Sequence, residues 1–78
     1  MIISREVIND TFHELIPYRN GNVLSIEGFE LLVGWSEQQE WWHEFASLNQ
    51  LSHNWRTSYL GDPYVFALIL FRFVVHRT

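Results

Sequence analysis

Apolar and polar positions follow a helical period at the start of the chain. Val7, Ile8, Phe12, Leu15 and Ile16 fall on one side of a helical wheel, while Glu6, Asp10 and Glu14 recur every fourth residue on the other. This spacing predicts a first helix over 5–16, with Ser4 as its N-cap and Pro17 as its stop. Residues 17–22 read as a turn, with Asn20-Gly21 its strongest signal.

Two periods compete over 23–34. As a hairpin turning at Glu27-Gly28, the segment sends Leu24, Ile26, Phe29, Leu31, Val33 and Trp35 to one face. As a short helix it has Ser25 at the N-cap, Ile26, Phe29, Leu32 and Val33 on its buried side, and Gly34 at the C′ position. A glycine costs about 1 kcal/mol inside a helix and nothing in a tight turn, so Gly28 tips the reading towards the hairpin.

The stretch from Ser36 to Pro63 reads as one long amphipathic helix over 37–60. Trp41, Phe45, Leu48, Leu51, Trp55 and Tyr59 share one arc, and Glu37, Glu40, His43, Glu44 and Gln50 lie beside or opposite it. Ser36 and Gln39 have the spacing of a capping box. Gly61, Asp62 and Pro63 then supply a C′ residue, an N-cap and a first helical position in succession, which starts a last helix over 63–76. That segment is apolar on nearly every side, and Val65, Phe66, Ile69, Phe71, Phe73, Val74 and Val75 also suit a strand. The expected fold is therefore mainly α, a small single-domain helical bundle with a long central helix and a β-hairpin at 23–34. The alternative is an α+β fold in which the C-terminal segment is a strand.

Composition sharpens this picture. In 78 residues without cysteine, apolar burial must supply the stability that disulfides or thiolate-bound zinc give other small domains. The chain is 47% hydrophobic and 17% aromatic, more aromatic surface than so small a core readily hides. A protein partner or self-association into a homo-oligomer is the expectation. No basic stretch leads into an apolar one near the N-terminus, and the longest apolar run, 64–71, falls short of the roughly 20 residues that span a bilayer. A soluble cytoplasmic protein, not a membrane protein, is expected.

Charge is segregated: residues 1–50 carry eight acids and two Arg, residues 51–78 one acid and three Arg. A net charge of −4 disfavours direct nucleic-acid binding. The two acidic ridges, Glu6/Asp10/Glu14 and Glu37/Glu40/Glu44, set neighbouring charges about 5–6 Å apart on a helix, close to the spacing of phosphates. They fit a basic groove on a partner that otherwise holds nucleic acid. The plain alternative is a solvated face. Trp41-Trp42 adds an aromatic element: adjacent helical residues diverge by about 100°, so with Trp41 in the core Trp42 borders solvent and suits an interface anchor.

No H-E-x-x-H, G-x-S-x-G or P-loop run occurs, and enzyme chemistry is not expected. Asp10-x-x-His13 and Glu40-x-x-His43 repeat an acid-x-x-His spacing that can aim a carboxylate and an imidazole at one metal. Both His fall on the polar sides of their helices, so no metal or other cofactor is expected, and a metal-binding bundle built on these four residues stands as the alternative. The leading expectation is a non-enzymatic protein-binding module, an inhibitor or regulator, that docks through Glu6, Asp10, Glu14, Glu37, Glu40, Glu44 and Trp42. A structural self-associating subunit is a further alternative.

Overall fold

A computed structural model describes residues 2–78. Helix α1 (Arg5–His13) is followed by a 3-10 turn (Ile16–Tyr18) and a short hairpin of β1 (Arg19–Asn20) and β2 (Val23–Leu24). Then come α2 (Ile26–Glu37), α3 (Trp42–Leu48), α4 (Trp55–Tyr59) and α5 (Pro63–Val75). The fold is a mainly α, compact small domain, as the periodicity implied.

The ends of α1 follow from local chemistry. The Ser4 hydroxyl accepts a hydrogen bond from the Val7 N–H at 3.4 Å, and the helix gives way at Glu14 to the 3-10 turn that holds Pro17. The strands pair antiparallel, Arg19 with Leu24 and Asn20 with Val23, around Gly21, whose φ of 62° suits a residue without a Cβ.

Residues 26–37 are helical, which overturns the hairpin reading of 23–34. Ser25 does cap this helix, its hydroxyl accepting from the Gly28 N–H at 3.1 Å. Gly34, however, lies within α2 and does not end it. Gly28 is buried, and a Cβ built on it would stand 2.6 Å from Tyr18 Cβ and 2.7 Å from Leu24 Cδ1. This glycine lets α2 approach the hairpin closely; the turn lies earlier, at Gly21.

The long central helix 37–60 is the main correction. Ser36 is fully buried in the last turn of α2, where its hydroxyl donates to the Leu32 carbonyl at 2.7 Å, so it caps nothing. The Gln39 side-chain amide donates to the Trp35 carbonyl, and short-range bonds from Gln38, Gln39 and Trp42 fold the chain into turns. A second break follows α3. The Leu51 N–H reaches the Ala46 carbonyl and the Gln50 N–H reaches that of Ser47, the paired bonds of a Schellman motif. Gln50 takes the left-handed position with φ 51°, where a glycine is usual. Leu48, assigned to the buried stripe, is 62% exposed as a result.

Helix α5 is the element on which the others assemble, packing against α2, α4 and β2. Asp62 precedes it without making a side-chain cap, Pro63 occupies its first turn, and Gly61 does not adopt the left-handed φ expected of it. The strand alternative for this segment is excluded. Phe66, Leu70 and Val74 are fully buried at helical spacing, and Phe66 meets Phe29 of α2, Phe45 of α3, and Trp55 and Tyr59 of α4, with ring centroids 5.3–5.9 Å apart. Near the other end, Phe73 packs on Trp41 and Phe45. The Ile3 N–H donates to the Arg77 carbonyl at 2.7 Å, tying the segment before α1 to the residues after α5.

Candidate functional site

The two acidic ridges differ once folded. Glu6 and Asp10 lie on α1 and Glu14 is its C-cap with helical dihedral angles, so all three keep their one-turn spacing on the exposed side, opposite buried Ile8 and Leu15. Among the described residues none of the three forms an ion pair. The other ridge is divided among α2, a turn and α3. Glu37 forms an ion pair with Arg56, which also lies 3.7 Å from Glu30, and Glu44 accepts a hydrogen bond from Arg77 at 2.9 Å. The Arg77 guanidinium sits 3.8 Å from the Phe73 ring centroid, so its charge is engaged from two sides. Glu40 alone of this set is exposed without an ion pair among the described residues. The one-turn helical spacing expected of the ridge 37/40/44 is therefore broken, and two of its three carboxylates are paired with Arg.

Trp42 is half-buried, with its ring 5.5 Å from both Phe45 and Trp55. It packs α3 against α4 through Trp55 and stays partly exposed. The four metal candidates Asp10, His13, Glu40 and His43 are all exposed. No group of three or more His, Cys, Asp or Glu is placed to hold a metal among the described residues, so the two acid-x-x-His motifs lack the convergence that the metal alternative requires.

Sequence reasoning missed a groove of about 270 Å³ between α1 and α5. Phe12, Leu15 and Ile16 line it from α1 and the turn that follows, Leu24 from β2, and Tyr64, Ala67, Leu68 and Phe71 from α5. Arg19 of β1 is its one charged lining residue, with the guanidinium 5.4 Å from the Tyr64 ring centroid and the Nε–H donated to the Gly21 carbonyl. Phe12 and Phe71 meet edge to face at 5.1 Å. The groove continues into the outer side of α5, where Leu68, Phe71 and Val75 are 49%, 47% and 42% exposed. A signal existed in the spacing of Tyr64, Leu68, Phe71 and Val75, four, three and four residues apart. It was hidden because α5 is apolar on its buried side as well.

The groove lining contains no acid and no His. All nine acids and all four His of the chain lie on exposed positions. No helix among the described residues is long and apolar enough to cross a membrane. Comparison of the chain with protein-family models, with curated proteins and with solved structures gives no match.

Proposed function

We propose that this protein is a non-enzymatic binding module that docks on a basic surface of a partner protein through the outer face of α1 and acts as an inhibitor or regulator. The observation that carries this reading is the contrast between the acidic sets. Glu37 and Glu44 are engaged by the protein's own Arg, whereas Glu6, Asp10 and Glu14 stand one turn apart, exposed and without an internal cation among the described residues. Like charges at this spacing cost a helix a few tenths of a kcal/mol per pair, a cost that a basic partner would relieve. The non-enzymatic part is supported by the surface position of every carboxylate and imidazole, since catalysis by such groups works best in a cleft that excludes water. The one-turn spacing also suits a groove that otherwise holds phosphates, which makes occlusion of a nucleic-acid-binding surface the favoured mode.

The test is surface plasmon resonance against the partner recovered by pull-down, with wild type and a Glu6→Gln, Asp10→Asn, Glu14→Gln variant at low and high salt. The variant should fold at least as stably and associate more slowly, wild-type binding should weaken as salt rises, and duplex DNA should compete. Salt-independent binding that survives neutralisation would reduce this face to an ordinary solvated surface.

A further inference from the structure

The outer side of α5 differs in character from α1. Tyr64, Leu68, Phe71 and Val75 form an apolar stripe at the spacing of a helix-packing seam, and the groove beside it opens a hole large enough for one anchoring side chain. Two cations flank the stripe. Arg19 lies by Tyr64 at the start of α5, and Arg72 is exposed about 70° round the helix from the stripe centre. Neither forms an ion pair among the described residues, whereas Arg56 and Arg77 both do. Tyr64 and Arg72 are separated by about 12 Å along the helix axis, slightly more than two turns.

We infer that this face binds an amphipathic helix of another protein whose apolar stripe is flanked by acidic residues about two turns apart. The apolar seam and hole would receive the partner's hydrophobic residues, while its acids would meet Arg19 and Arg72 at the rim. A second copy of the chain matches less well. Residues 63–75 of α5 carry no acid, so apposing two copies of this helix would give Arg72 no carboxylate on the opposing helix. The inference does not depend on the acidic face of α1, because the two faces share none of the residues invoked.

Two synthetic helical peptides test it, each with leucines at the four-three-four spacing, one flanked by Glu and the other by Lys. Fluorescence anisotropy should show the wild-type protein binding the Glu peptide about tenfold or more tightly than the Lys peptide, with the preference fading at high salt. Leu68→Gln should weaken the Glu peptide by about tenfold, and Arg72→Glu should shift the preference towards the Lys peptide. Both side chains are exposed, so the variants should remain folded, which their melting curves would check. Equal affinity for the two peptides, or a preference unmoved by Arg72→Glu, overturns the inference. Sedimentation showing a dimer that Leu68→Gln dissociates would replace it with self-association. Binding to phosphatidylserine vesicles without binding to either peptide would replace it with a lipid surface.

Discussion

Helices α2 and α5 and the connection between them, residues 38–62, are held together in different ways. The two helices bury residues at regular helical spacing, Phe29, Leu32, Val33 and Ser36 on one and Phe66, Leu70 and Val74 on the other. The connection breaks its helix twice and buries only Trp41 and Phe45 fully or nearly so. It is held by ring contacts, by carbonyl groups satisfied from the Gln39 and Asn49 side chains, and by Arg56 reaching back to α2. A periodic trace in the sequence does not separate the two: residues 37–60 carry one unbroken apolar stripe although the chain breaks there twice, and regular α2 carries a glycine that looks like a turn.

The largest expected effect tests whether the connection depends on its few buried rings. Phe45 is fully buried against Phe66, Phe73, Trp41 and Trp42, so Phe45→Ala should cost about 3–5 kcal/mol in chemical denaturation. Leu48→Ala in the same helix should stay within about 0.5 kcal/mol, because that side chain is largely exposed. Similar losses from both would mean that α3 is buried differently.

Two glycines of α2 probe the regular part. Gly28→Ala should destabilise by about 1–3 kcal/mol, since the new methyl group meets the Leu24 Cδ1 methyl and also Tyr18 Cβ, which moves only with its backbone. Gly34→Ala meets nothing within 4 Å and should stabilise by about 0.5–1 kcal/mol through helix propensity. Equal and opposite effects are not expected; a stabilising Gly28→Ala would show that α2 stands further from the hairpin. The smallest effect belongs to the second break of the connection. Gln50→Gly should stabilise the fold slightly, by up to about 1 kcal/mol in chemical denaturation, because it relieves a side chain held at positive φ.

The legible parts of the fold were those with a local mechanism. Ser4, Ser25 and Pro63 take up the start positions that their chemistry suits, and Asn20-Gly21 lies at the observed hairpin turn. The long helix was misread because its apolar stripe runs on through Asn49 and Gln50, and a glutamine gives no sign of the left-handed conformation it adopts. Gly28 misled for the opposite reason. A glycine needed for close packing looks, in sequence, like one needed for a turn.

At the candidate site, the α1 acids kept their spacing because one helix carries them all. The Glu37 and Glu44 pairings were out of reach, since their partners lie 19 and 33 residues away. The groove was illegible for a similar reason, because its walls come from α1, the hairpin and α5, which only tertiary packing brings together.

The paired indoles make the two regions optically separable. All four tryptophans lie in the connection or in the last turns of α2, and they meet as Trp35 with Trp41 and Trp42 with Trp55, with centroids 5.6 and 5.5 Å apart. Residues 2–34 and α5 contain none. Intrinsic fluorescence therefore follows chiefly the loosening of these indole contacts, while far-ultraviolet circular dichroism follows the helices throughout the chain. In a two-state unfolding the signals change together. A fluorescence change that precedes the loss of ellipticity would mark the connection as a separate, weaker cooperative unit.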